Sequence, residues 1–229
     1  MRARNFGRLA GVVAALVCVS IPLVYAREAP PETTPEGLVL QKSTNSRVSY
    51  VKPGATFAQY NRVAILEPLV EIEKDWQKDY NSSRLGLEGR VTDKDIERMK
   101  TGLAAEFMKV FTRELQDKGG YQVVDTAAPD VLLLRPALLN VEVNAPDIMT
   151  AGINATVVRS AGQMTLFLEL WDSQTNTLLA RIMDAEADMD SFAKQANRVT
   201  NVQAADRILG SWAHELRVRL DEIKGKSGK

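Results

Sequence analysis

A stripe of apolar residues at helical spacing runs through the middle of the chain and predicts an amphipathic helix. Thr92 precedes the stripe and is suited to cap the first turn of that helix. Gly119 and Gly120 follow it and favour a left-handed helix end. Phe107 stands at its centre and is predicted to pack in the core. The stripe consists of Ile96, Met99, Leu103, Phe107, Val110, Phe111 and Leu115.

A second stripe near the carboxyl end predicts another amphipathic helix. Its start is predicted at Thr200, because Gln203 three residues later would complete a capping box. Gly225 is predicted to end it, and Trp212 occupies the middle of the stripe. The stripe consists of Ala205, Ile208, Leu209, Trp212, Leu216, Leu220 and Ile223.

Short apolar or alternating runs separated by turn residues predict strands. Pro136 is predicted to divide two of these runs, and residues 172–176 are predicted to form a hairpin turn. Because most strands follow one another with short turns, the pattern predicts an α+β fold: a mainly antiparallel sheet with two amphipathic helices packed on one face. The predicted strands are 47–51, 62–67, 69–72, 121–125, 130–134, 139–143, 154–158, 164–171 and 177–188.

The first 26 residues have the layout of a secretory signal peptide, and three arginines precede an apolar run at 9–26. We expect cleavage after Ala26 and a periplasmic or envelope-associated protein. An uncleaved membrane anchor is one alternative, and lipidation of Cys18 is another. Lipidation is less favoured, because the branched Val17 precedes Cys18 and the apolar run continues beyond it.

The rest of the chain divides into three parts by composition. Residues 27–37 are rich in proline and predict an extended tether. Residues 38–225 are predicted to form a single α+β domain, and residues 226–229 a frayed tail. After cleavage the chain would contain no cysteine, so its stability would rest on the core and on no disulfide.

Overall composition narrows the function classes. The 229 residues carry 29 basic and 29 acidic side chains, and this balance argues against nucleic acid as a partner. With 45% hydrophobic residues the chain can bury a core, which excludes disorder as its main character. No nucleophile-elbow or phosphate-loop motif is present, and His214, the single histidine, is predicted to lie on the surface. No catalytic residue and no cofactor is predicted; the question of an enzyme stays open, with a non-enzymatic role favoured.

A row of acids recurs at every second residue at the end of the last predicted strand and just beyond it, and the strand would have to continue to Asp190 to include all four: Asp184, Glu186, Asp188 and Asp190. On a strand these carboxylates share one face and could bind a hard cation such as calcium. The favoured interpretation is a solvated face that protects the strand from aggregation. No metal site is therefore predicted.

Trp76 and Tyr80 lie four residues apart in a polar segment, and a helical turn would place both rings on one face. They are a candidate partner-binding patch, since exposed aromatic residues often anchor interfaces. The alternative is that both rings fold back as a lid over the core.

Several segments together resemble the domain-of-unknown-function family 3313: residues 50–54, 60–66, 76–80, 120–125, 129–136 and 144–147. That family consists of bacterial envelope proteins, many labelled lipoproteins, so the resemblance implies a location and assigns no activity or site residue.

Three functional hypotheses follow. The favoured one is a non-enzymatic envelope protein that binds or assembles an unknown partner, with peripheral membrane association left open and the oligomeric state undetermined. The second is a small-ligand or lipid carrier with a cavity between helices and sheet. The third is a carboxylate-based hydrolase with an unrecognised site.

Overall fold

The computed structural model describes residues 29–82, 90–143, 156–158, 162–187, 194–196 and 198–225. Three helices are described, α1 (Trp76–Ser82), α2 (Asp93–Thr112) and α3 (Arg198–Ile223), and α2 continues into a π-helical turn at Arg113–Lys118. The strands are β1 (Val39–Ser43), β2 (Arg47–Val51), β3 (Arg62–Ile65), β4 (Leu69–Ile72), β5 (Gln122–Val123), β6 (Val131–Val143), β7 (Thr156–Val158), β8 (Gly162–Asp172), β9 (Thr177–Ala187) and β10 (Lys194–Ala196).

Eight strands form one mixed sheet in the order β1-β2-β9-β8-β6-β3-β5, with β4 also paired to β6, while β7 and β10 form a separate ladder. The four pairs from β1 to β6 are antiparallel. Strands β3 and β4 pair with β6 in parallel, as β3 does with β5. The mixed α and β content agrees with the prediction, but the sheet is mixed, because α2 carries the chain back to the same end of the sheet before β5 and β6 begin.

Strand β6 runs without a break through Pro136, so the predicted division there is wrong. Leu66 donates its backbone N–H to the carbonyl of Leu134 at 3.0 Å. The backbone groups of Leu134, and of Pro136 two residues later, therefore face β3 and β4. Because β3 ends at Ile65 and β4 begins at Leu69, the proline nitrogen faces an interrupted neighbour and no ladder bond is lost.

Helices α2 and α3 contribute their apolar stripes to one core. Phe107 is fully buried and Trp212 is 3% exposed, and both belong to the same hydrophobic cluster as Leu134 and Leu168 of the sheet. Thr92 caps α2 in a capping box with Asp95, which confirms the predicted helix start. Two helices were predicted and three are described, since the segment with Trp76 forms the short helix α1.

The ends of the helices differ in detail from the prediction. Helix α3 already includes Arg198, so Thr200 lies inside it and does not cap it. At the end of α2, the chain leaves the π-helical turn at Gly119. A Cβ atom on Gly119 would lie 2.7 Å from the carbonyl oxygen of Leu115. Gly120 has a φ of 70°. Both glycines are thus required by the way that the chain leaves α2.

Part of the proline-rich segment predicted as a tether lies against the sheet. Thr34 is buried, and Leu40 of β1 donates its N–H to the carbonyl of Glu32 at 2.9 Å. Arg181, on the sheet face opposite the helices, donates to Glu36 at 3.0 Å and to the buried Glu169 at 2.8 Å. These bonds hold residues 32–36 beside β1 and β9.

Candidate functional site

A cavity of about 340 Å³ lies between α3 and the strands β2, β9 and β8. Its floor is the inner face of the sheet, and its wall is the side of α3 that turns toward this part of the sheet. The floor consists of Val51, Leu166, Leu168, Leu170, Ala180 and Ile182, and the wall of Trp212, Leu216, Leu220 and Ile223. The interior is therefore lined almost entirely by hydrocarbon.

The register of the strands explains how these residues come together. Val51 pairs with Ala180, and Ala180 pairs with Leu170, so one row across three strands points its side chains toward α3. Ala180 contributes only a methyl group in this row. Its small side chain leaves space between the sheet and α3 that a larger residue would fill.

The ion-paired groups of the cavity lie at one end, while Ser49 and Lys42 stand along its side in the row of Ile182. Arg47, Asp184 and Leu166 form another row of paired residues, four positions along the strands from the row of Ala180. Four residues of extended strand span about 13 Å. The charged groups of Arg47 and Asp184 therefore lie about 13 Å from the Ala180 row, and Leu168 and Ile182 line the floor between the two rows.

Arg47 joins the sheet to α3 at the polar end. Its Nη2 bonds Asp184 of β9 and its Nη1 bonds Glu215 of α3. Trp212 donates its indole N–H to the same Asp184 oxygen at 3.0 Å. The hydrogen bond to Asp184, and after it the bond to Glu215, stabilises the charged form of Arg47 more than burial disfavours it. These bonds therefore raise the pKa of Arg47, and its guanidinium stays charged.

The predicted solvated face of acids is wrong for Asp184, which is 3% exposed and faces α3. Glu186 is half-buried on the same side and accepts a hydrogen bond from Ser211 at 3.3 Å. Burial, reinforced by the negative charge of Asp184, raises the pKa of Glu186. Asp188 and Asp190 lie outside the described residues. The error arose because alternation shows which residues share a face and not which face the helices cover.

Within the described ranges, no three His, Cys, Asp or Glu side chains are grouped so that they could hold a metal ion. Asp184, which is 3% exposed, uses its carboxylate to accept from Arg47 and Trp212.

Trp76 and Tyr80, the candidate partner patch, lie on α1 and outside the residues that line the cavity. Their rings stack with centroids 5.4 Å apart, as the spacing predicted, and both are partly exposed. Helix α1 is fixed to the start of α2 because Asn81 bonds both backbone groups of Val91. The patch remains a prediction.

A buried acid that the sequence analysis missed lies between the π-helical turn and α3. Glu114 is 3% exposed and accepts from Arg217 at 3.0 Å, while Lys118 lies 2.7 Å from its other oxygen. His214 lies 3.1 Å away and is largely exposed, as predicted. Burial works to raise the pKa of Glu114, but the bonds from Lys118, Arg217 and His214 prevail and lower it to about 2.

The fold and this site define an α+β protein with a mainly apolar helix–sheet cavity that has ion-paired groups at one end. The chain belongs to the family described as "Protein of unknown function (DUF3313)", whose model matches residues 36–216. The predicted resemblance is thereby confirmed. A search of curated proteins finds no match to this chain.

Several solved structures are similar to this chain at low identity. Protein XCC0632 from Xanthomonas campestris, of family DUF330, has 13% identity and a TM-score of 0.43, and covers 77% of this chain and 94% of its own. The PelC dodecamer from Paraburkholderia phytofirmans has 9% identity and a TM-score of 0.36, and covers 72% and 96%. The hypothetical protein CT253 from Chlamydia trachomatis has 12% identity and a TM-score of 0.34, and covers 72% and 96%. At these values the likenesses carry no information about activity.

None of the helices in the described part of the chain is both long and apolar enough to cross a membrane.

Proposed function

We propose that this protein binds a small ligand with one apolar chain, held in the cavity between α3 and the sheet, and that it does so without catalysis in the cell envelope. The observation that carries the proposal is the cavity itself. Its volume of about 340 Å³ lies in the lower part of the range of small-molecule sites, and its lining is mainly apolar with a few polar groups.

The energetics of an apolar cavity support a ligand. Side chains that line an empty space lose dispersion contacts, so cavities of this size are rare in a core that serves stability alone. An apolar chain would restore those contacts against Leu168 and Leu216 and would remove from water the surface of Ile182 and Ile223, which are partly exposed. Ile223, which also lines the cavity, is 49% exposed, so the site has an edge toward solvent through which a ligand can enter.

Filling the cavity tests this function. Ala180→Leu adds three carbon atoms to the floor and is expected to weaken the binding of decanol at least about tenfold, because the chain and the new side chain compete for one space. The measurement is calorimetric titration of the purified protein with decanol. Ala185→Leu is the matched control, since Ala185 is exposed on the other face of the same strand.

The control variant should bind decanol as the original protein does, and circular dichroism should show that both variants are folded. Absence of decanol binding by the original protein would contradict the proposal. Equal binding by the original protein and by Ala180→Leu would show that the ligand sits elsewhere.

Export is the second part of the proposal and is supported by the signal layout of residues 1–26. The protein recovered from the periplasm or envelope of expressing bacteria is expected to begin at Arg27. N-terminal sequencing and intact mass measure this directly. An intact Met1, or an acyl group on Cys18, would contradict cleavage after Ala26.

A second candidate function is the binding or assembly of a protein partner, which the sequence favoured. The partly exposed, stacked rings of Trp76 and Tyr80 support it. Crosslinking in envelope fractions followed by affinity purification, with the Trp76→Ala variant for comparison, distinguishes it from ligand binding.

A further inference from the structure

The two bonds of Arg47 at the polar end of the cavity differ in how easily they exchange. Asp184 has a side chain that is 4% exposed and is also fixed by the indole N–H of Trp212. Glu215, on the other side of the guanidinium, has a side chain that is 37% exposed. Breaking the buried bond would leave a carboxylate uncompensated, whereas Glu215 can turn into water at little cost.

We infer that the ligand of this cavity is a single-chain carboxylic acid, a fatty acid, whose carboxylate replaces Glu215 on Arg47 while its chain lies along the floor toward Ala180. This inference rests on the proposed function and deepens it. Arg47 offers the donors, Asp184 holds Arg47 in place, and Glu215 occupies the position of the ligand's head group when the cavity is empty.

The charges around the cavity fit an anion better than a cation or an uncharged head group. Its lining includes the three basic side chains Lys42, Arg47 and Arg219. The two acids in the lining are Asp184 and Glu215. Asp184 is already satisfied by Arg47 and Trp212, and Glu215 leaves when the ligand binds. Arg219 is paired with Glu222 at 3.0 Å, so the group that a bound carboxylate would meet is Arg47, from which it would accept a charge-assisted hydrogen bond in place of Glu215.

The geometry also places the two parts of such a ligand correctly. The polar row of Arg47 and the apolar row of Ala180 are about 13 Å apart along the strands. Beyond the latter, Phe57 and Leu220 belong to the lining. A medium-length chain that begins at Arg47 would therefore lie mostly against hydrocarbon, with Ser49 and Lys42 along one side of its path in the row of Ile182.

Glu215→Gln is the decisive variant, because it removes the competing carboxylate and leaves the bond between Arg47 and Asp184 intact. It is expected to strengthen the binding of decanoate about tenfold and to change that of decanol by less than about twofold. Both affinities are measured by calorimetric titration at neutral pH. Glu97→Gln is the control: it removes one negative charge from the exposed surface of α2 and should alter neither affinity.

Arg47→Gln combined with Asp184→Asn, in the Glu215→Gln background, leaves no buried carboxylate without its cation, and it should abolish the gain for decanoate and retain decanol binding, with circular dichroism as the check of folding. If Glu215→Gln leaves decanoate binding unchanged, or strengthens both ligands alike, the assignment of the head group is overturned while ligand binding in the cavity stands. If the original protein binds neither ligand, the proposed function itself fails.

Discussion

Replacing Phe107 by alanine is expected to lower the free energy of unfolding by about 3–5 kcal/mol. Phe107 is fully buried in the cluster that joins α2, α3 and the sheet, and its ring stacks on Phe111 with centroids 3.9 Å apart. Its truncation removes buried hydrocarbon and leaves a cavity that a rigid helix–sheet contact cannot close. Denaturant unfolding followed by circular dichroism measures the change.

Leu69→Ala is the control, since Leu69 is 59% exposed and its truncation should cost about 0.5 kcal/mol or less. Trp212→Ala should cost about as much as Phe107→Ala, because it also leaves the buried Asp184 without its indole donor. Midpoints of the two core variants equal to that of the original protein would show that the stripes do not stabilise the fold.

Replacing Glu114 by glutamine is expected to destabilise the protein by about 2 kcal/mol at neutral pH, because the half-buried Arg217 and the exposed Lys118 lose hydrogen bonds to the buried carboxylate that they share. The effect should depend on pH. The folded protein lowers the pKa of Glu114 from 4.5 to about 2. The charged carboxylate therefore stabilises the folded protein in full at pH values above 4.5. That contribution is lost as the pH falls from 4.5 toward 2, and the difference from the glutamine variant should shrink over the same interval.

Unfolding at a series of pH values provides this measurement. Glu97→Gln again serves as the comparison, because the side chain of Glu97 is 70% exposed and its ion pair with Lys100 should contribute less than about 1 kcal/mol. A destabilisation by Glu114→Gln that stays constant from neutral pH to pH 2 would contradict the ionic origin of the effect.

Features that depend on neighbouring residues could be predicted from the sequence. The stripe around Phe107 and the cap at Thr92 are properties of one helix, and the stacking of Trp76 on Tyr80 follows from their spacing. The hairpin between β8 and β9 was predictable for the same reason, because the turn residues and both arms are contiguous. These patterns need no knowledge of the rest of the chain.

The candidate site could not be predicted in this way, because its residues come from separate elements. Arg47, Asp184 and Glu215 are remote in sequence, and nothing in the local pattern of β2 distinguishes Arg47 from a surface arginine. Ala180 is an ordinary strand residue until α3 lies over it. The cavity is lined by this alanine together with side chains of β2, β8, β9 and α3, which only the tertiary structure brings together.

Periodicity thus determined which residues of this protein share a face, and the family resemblance followed from short contiguous segments. The tertiary structure decided what each face meets. It placed Asp184 against α3 instead of water, and it allowed Pro136 within a central strand because the neighbouring strands are interrupted there. The physical reason is that burial and hydrogen-bond partners depend on packing between distant elements, whose pairing a single amphipathic pattern leaves open.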